Sequence, residues 1–178
     1  MSAPRVFGIT GWKNSGKTTL VARLVTELRG RGLKVGVVKH AHHAFDIDHP
    51  GRDSHTIREA GANEVAIVSA RRWALIHELR DGEPEPALAD MLPRLSHNDL
   101  VIVEGFKAAD YPKLEVRSEQ AVETRPMDDV AANIVAIAAD TPPDDPRPHF
   151  RRDDISAIAD FITARLRLAP EAANLSRV

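Results

Sequence analysis

Eight consecutive residues, Gly11, Trp12, Lys13, Asn14, Ser15, Gly16, Lys17 and Thr18, match the pattern G-x-x-x-x-G-K-[ST]. The chemistry such a run supports is capture of a polyphosphate. Phosphate oxygens only accept hydrogen bonds, so a loop of inward-turned backbone N–H groups at a helix N-terminus complements them. Glycines let the main chain come close. Lys17 is placed to set an ammonium between the β- and γ-phosphates of a nucleoside triphosphate, and it is the first candidate catalytic residue. The Thr18 hydroxyl is a ligand for Mg²⁺, a hard ion that takes oxygen donors, and Thr19 is placed for the α-phosphate. With glycine near 7% of average composition, a chance match in a chain this long is about a one-in-a-hundred event or rarer. Lys13 divides between a phosphate contact made across a dimer interface and a solvated surface charge.

A metal-bound triphosphate calls for a carboxylate at the end of a neighbouring strand. Glu104 follows the aliphatic run LVIV and meets that need, directly or through water, whereas Asp99 stands at the wrong end. A rim carboxylate without metal is the alternative. Asp140 closes a second apolar run, IVAIAA. A carboxylate there could accept from the N1–H and 2-amino group of guanine and so favour GTP over ATP, although no Asn-Lys-x-Asp motif precedes it. Five of the eight histidines, His40, His42, His43, His49 and His55, cluster with Asp46, Asp48 and Asp53. Their spacing fits no two-plus-two zinc pattern and no cysteine assists. The preferred reading is a loop for a second ligand or partner. In it Asp46 or Asp48 orders metal-bound water as a further catalytic candidate, while histidines and Arg52 meet an anion. A plain solvated loop is the competing account. Lys107 and Lys113 read either as added positive charge at the same sheet edge or as surface lysines.

These residues need elements to hold them. Val6 to Thr10 reads as a strand, and Leu20, Val21, Leu24, Val25 and Leu28 recur at helical spacing up to Gly30 and Gly32. Lys34 to Lys39 then supplies a second strand, expected to be the parallel neighbour of the first. A short helix capped by Asp53 or Ser54 is predicted to end near Gly61, followed by strands at Val65 to Ser69 and Trp73 to Leu79 and a helix over Pro86 to Leu95. Leu100 to Val103 has the continuous aliphatic character of a strand buried on both faces. Ile134 to Ala138 repeats that pattern. Ile155, Ile158, Ile162 and Leu166 form the stripe of a last helix opened by Asp153 or Asp154. The expected fold is α/β, a single doubly wound, mostly parallel sheet with helices on both faces, occupying residues 1–168, with a loose tail over 169–178.

Composition narrows the function classes. At 178 residues and 43% hydrophobic content, one domain with a full core is expected. A formal charge of −2, from 24 basic and 26 acidic residues, offers no nucleic-acid or membrane surface. Cysteine is absent, which removes disulfides and thiolate chemistry and fits a reducing, cytoplasmic setting. No apolar run approaches the roughly 20 residues of a membrane span. Met1 to Arg5 is too short and polar to act as a signal peptide.

Several segments together resemble the molybdopterin-guanine dinucleotide biosynthesis adapter family, MobB. They are GWKNSGKTTL from Gly11, VVKHAHHAFDIDHPGRDSH from Val37, REAGA from Arg58, and DLVIVEGFK with PKLEV from Asp99, which span most of residues 5–120. The resemblance implies a GTP-binding homodimer that hydrolyses GTP weakly with Mg²⁺. It would assist a MobA-like molybdenum cofactor guanylyltransferase in joining GMP to molybdopterin. It carries Gly11 to Thr19 over as phosphate ligands, Thr18 and Glu104 as Mg²⁺ ligands, and the His40 to Asp53 loop as a pterin or partner contact. The region after Val122 matches less closely. Two other classes compete. One is a small-molecule kinase with Arg71, Arg72, Arg151 or Arg152 as a lid, and the other is a metal-delivery chaperone using the histidine loop.

Overall fold

In the computed structural model, residues 4–41 and 45–168 are described. The chain folds as two compact units, Met1–His40 with Leu88–Val178, and Ala41–Ala87. The larger unit carries a six-stranded, wholly parallel sheet in the order β2-β5-β1-β6-β7-β8. Its strands are β1 (Arg5–Thr10), β2 (Val35–Lys39), β5 (Leu100–Glu104), β6 (Lys113–Arg117), β7 (Ile134–Ala139) and β8 (His149–Arg151).

Parallel strands shielded on both faces are apolar at every position, and β5 is buried along its whole length. Alternate residues of the sheet serve its two faces. Phe7, Ile9, Leu100, Ile102, Leu114, Ala136 and Ala138 pack with helices α1 (Lys17–Gly30) and α4 (Ile155–Leu166). On the other face Val101, Val103 and Tyr111 pack with Leu88, from the short helix α3 (Leu88–Met91), and with Leu92 and Leu95 of the following 3-10 turn. Burying Leu20, Val21, Leu24 and Leu28 fixes α1 on the sheet, each side chain being worth about 1.5–3 kcal/mol. Asp154 caps α4 by accepting from the Ala157 N–H, as the sequence predicts.

Three expectations about the sheets are corrected. The strands β1 and β2 are not neighbours, because β5 lies between them and its Leu100 registers with both Arg5 and Val35. The cause is polarity: β5 needs a hydrogen-bonded, covered partner on each side, whereas β2, with Val37 and Lys39 exposed, tolerates the sheet edge. Lys113 is no surface lysine. It is fully buried in β6, a strand the sequence pattern does not reveal, and its ammonium donates to the carbonyls of Ala109, Tyr111 and Ala132. Finally, one sheet does not account for every strand.

The unit Ala41–Ala87 has its own two-stranded antiparallel sheet of β3 (Glu64–Val68) and β4 (Trp73–His77), preceded by helix α2 (Asp53–Glu59). Arg52, not Asp53 or Ser54, is the N-cap of α2 and makes no side-chain cap bond; Asp53 falls in the first turn. The helix predicted from Pro86 begins instead at Leu88, and Pro93 opens the 3-10 turn that continues it. The predicted tail over 169–178 lies outside the described residues. No helix among them is long and apolar enough to cross a membrane.

Candidate functional site

The strand β1 stops at Thr10, and the chain turns into α1 through three residues with positive φ: Gly11 (152°), Asn14 (66°) and Gly16 (89°). Two are glycines for a reason visible in space. A Cβ on Gly11 would stand 2.6 Å from both the Ser15 hydroxyl and the Val116 carbonyl, and one on Gly16 would stand 2.8 Å from the Arg152 guanidinium. Asparagine tolerates the left-handed region better than most residues and takes the third place. Gly16 is the N-cap of α1 and brings no side chain to its donors. The first intrahelical bond there runs from Leu20 N–H to the Gly16 carbonyl. The N–H groups ahead of it, at Lys17, Thr18 and Thr19, have no partner inside the helix and are available to an anion. The Ser15 hydroxyl is fully buried within the loop and has no hydrogen-bond partner among the described residues.

Lys17 arches back over this loop and donates to the Trp12 carbonyl at 2.7 Å. Burial lowers its pKa, Glu104 opposes that shift, and Lys107 and Lys39 add to it. Thr18, next along, donates its hydroxyl to both Glu104 oxygens at 3.0 and 3.2 Å. Glu104 is delivered by β5, is almost wholly buried, and has Lys39 from the end of β2 at 3.6 Å. The Lys39 ammonium also lies 3.4 Å from the Thr18 hydroxyl. Thr18 and Glu104, nominated as Mg²⁺ ligands, are therefore side by side. Their all-oxygen donor set suits a hard divalent ion, and a cation already stands against it. Lys39 escaped the sequence reading; its position at the end of a strand neighbouring Glu104 was the available signal.

The outer flank of the loop is also built. The Trp12 indole N–H donates to the Arg125 carbonyl at 2.7 Å, and the Val122 N–H donates to the Lys13 carbonyl at 2.9 Å. Cations lie over the indole ring, Arg125 at 4.6 Å and Lys107 at 5.1 Å from its centre. Lys13 and Asn14 are exposed. On the inner flank opens a cavity of about 460 Å³ lined by Gly16, Thr19, Leu20, Val116, Asp140 and Arg152, among others. Asp140 thus lies at the same cavity as the phosphate loop. It is not idle there, because Arg152 donates to it and to the Ser15 carbonyl.

Within Ala41–Ala87 the acidic residues are engaged locally. Arg58 of α2 donates to Asp46 and Glu78, each at 2.7 Å. Asp48 is buried, accepts from Ser54 at 3.0 Å and from the His49 N–H, and keeps one oxygen 3.9 Å from Arg58. The hydrogen bond from Arg58 holds the Asp46 carboxyl below its usual range. His42 and His43 lie outside the described residues. Among the described residues no group of three or more His, Cys, Asp or Glu side chains is arranged to hold a metal ion. His40 stacks on Phe106 at 4.6 Å in the larger unit. Arg71 and Arg72 sit in the turn joining β3 to β4, around the Ser69 hydroxyl.

Comparison with known proteins gives a consistent result. The family model for molybdopterin guanine dinucleotide synthesis protein B, MobB, matches residues 6–140. The molybdopterin-guanine dinucleotide biosynthesis adapter protein of Haemophilus influenzae is 36% identical over 160 residues, which cover 88% of this chain and 86% of the relative. The Escherichia coli adapter protein is 34% identical, with 88% and 90% covered. A crystal structure of molybdopterin-guanine biosynthesis protein B superposes with a TM-score of 0.71 at 35% identity, covering 91% of this chain and 99% of that one.

Proposed function

The chain belongs to the molybdopterin guanine dinucleotide synthesis protein B family, and from that membership we propose that it is a GTP-binding adapter with slow GTPase activity. It would assist a MobA-like guanylyltransferase in attaching GMP to molybdopterin in the cytoplasm. The observation that carries the nucleotide part is the start of α1. A glycine-led, side-chain-free helix entrance stands beside a partly buried Lys17 whose ammonium donates, among the described residues, only to a main-chain carbonyl. A triphosphate replaces that carbonyl with stronger, charged acceptors.

Thr18 and Glu104 would hold Mg²⁺, which neutralises charge between the β- and γ-phosphates. Asp140 would read the base. Slow hydrolysis follows from how the nearby arginines are spent: Arg152 is engaged with Asp140 and Ser15, and Arg125 lies over Trp12. For Asp46 or Asp48 to order metal-bound water, Arg58 and Ser54 would first have to release them. The histidine loop would meet the pterin or the partner enzyme. A homodimer is part of the proposal, and Val68 and Trp73, paired across the hairpin and about three-quarters exposed, offer apolar surface for it.

Calorimetric titration with GTP, ATP and GDP, with and without Mg²⁺, is the direct test. Preferential, Mg²⁺-dependent binding of GTP with turnover far below kinase rates is expected. Preference for ATP, or rapid phosphorylation of a small molecule, would reject the adapter reading.

A further inference from the structure

Two parallel neighbours, β7 and β8, end side by side. Their register pairs Ala139 with Arg151, so the next residue on each, Asp140 and Arg152, meet beyond the sheet. The Arg152 N–H donates back to the Ala139 carbonyl at 3.3 Å. Its guanidinium then bridges two elements far apart in sequence. Nε and Nη2 both reach Asp140 Oδ1 at 2.5 Å, and Nη1 donates to the Ser15 carbonyl at 2.9 Å. It lies flush against the phosphate loop, leaving no room for a Cβ at Gly16. Oδ2 of Asp140 takes no donor among the described residues. The carboxylate is therefore oriented through one oxygen and open through the other, at the margin of the cavity that also contains Gly16 and Thr19.

We propose that Arg152 is a positioning residue that ties the base-reading carboxylate of Asp140 to the phosphate loop, so that purine identity and phosphate geometry are read by one rigid assembly. This rests on the nucleotide reading above and names the device that gives it base specificity. A planar guanidinium has the fixed fork needed to span a carboxylate and a carbonyl at once, which a lysine ammonium lacks. With Oδ1 held, Oδ2 is presented as a single acceptor. Guanine offers it a ring N–H donor, whereas adenine offers an acceptor at the same ring position and leaves the carboxylate unmatched.

The experiment compares the unmodified chain with Arg152→Met, Arg152→Lys, Asp140→Asn and the Arg152→Met/Asp140→Asn double variant. Calorimetry is run with Mg-GTP, Mg-ATP and Mg-tripolyphosphate, and thermal melting reports folding. Arg152→Met is expected to weaken GTP about tenfold and erase the preference over ATP, with tripolyphosphate changed by less than about threefold. Arg152→Lys keeps the charge but loses the fork, and is expected to lose the preference as well; it carries the test if the methionine variant melts early. The double variant should bind GTP no worse than Asp140→Asn alone, since both changes remove one arrangement. Additive losses, retained GTP preference in the arginine variants, or tighter GTP binding on removing Arg152 would each overturn the proposal while leaving the nucleotide reading intact. Equal binding of GTP, ATP and tripolyphosphate by the unmodified chain would instead remove the base-reading premise.

Discussion

The phosphate loop and the histidine-rich segment contain comparable densities of chemically capable residues, yet their side chains are in opposite states. In the loop the donors are held back from one another. Gly16 leaves the helix entrance bare, Lys17 rests on a carbonyl, and the Ser15 hydroxyl has no hydrogen-bond partner among the described residues. In Ala41–Ala87 the charges are gathered into ion pairs: Arg58 donates to Asp46 and Glu78, and its Nε faces Asp48 Oδ2 at 3.9 Å, both of those atoms buried and without a hydrogen bond among the described residues. The difference teaches that residue type signals capability while the partner signals availability: Lys17 is held by a neutral main-chain carbonyl, whereas Asp46 and Glu78 are held by the full charge of Arg58.

Lys17→Ala is the strongest challenge to that contrast. Removing a charged donor from the loop should weaken Mg-GTP by roughly a hundredfold while the melting temperature holds, as read by calorimetry and thermal melting. Unchanged affinity would mean the loop is as inert as the segment it is contrasted with. Glu104→Gln comes next. It keeps the shape but reduces the negative charge facing Thr18, so the Mg²⁺-dependent share of GTP affinity should fall about tenfold and metal-free binding should not. Equal loss with and without Mg²⁺ would take the metal role from Glu104.

On the other side of the comparison, Arg58→Ala should release three carboxylates. Limited proteolysis within residues 41–87 is expected to speed up, while GTP affinity moves by less than about twofold. A large affinity loss would show that the segment's acids take part in binding after all. The smallest effect concerns pH. A hydrogen bond with Glu64, with Glu83 beyond it, raises His77 above its ordinary value near 6.5 against a smaller opposing effect of desolvation. A raised folded-state pKa means that this contribution to hairpin stability is complete below about 6.5 and lost as pH climbs through the folded value. Glu64→Gln should bring the His77 titration, followed by NMR, back toward the ordinary value.

How much of this was legible beforehand depended on the range of the cause. The turn from Gly11 to Thr18 is dictated by local backbone demands, and its glycines and lysine stand within eight residues. The strand β5 betrays itself by an unbroken aliphatic run. Its place between β1 and β2 does not, because parallel pairing joins residues about 65 and 95 positions apart and leaves no local trace. Lys113 reads as exposed in any sequence scan. Its burial depends on carbonyls at Ala109 and Ala132, the second of which arrives from a different segment. Asp46 and Asp48 looked available because their side-chain donors, Arg58 for Asp46 and Ser54 for Asp48, are contributed by the next helix. The hairpin β3–β4 was half legible: both strands were readable, and the four-residue link from Ser69 to Arg72 marks them as antiparallel partners of each other, not members of the main sheet.

The two tryptophans fall one in each compact unit, Trp12 on the phosphate loop and Trp73 on the exposed hairpin. The molecule thereby carries two intrinsic fluorophores with separate addresses. With Trp73 replaced by phenylalanine, emission would come from the indole lying beneath Lys107 and Arg125 alone, and any rearrangement of those cations would be visible as quenching or a spectral shift without a label. The reciprocal replacement at Trp12 would give the hairpin its own optical readout.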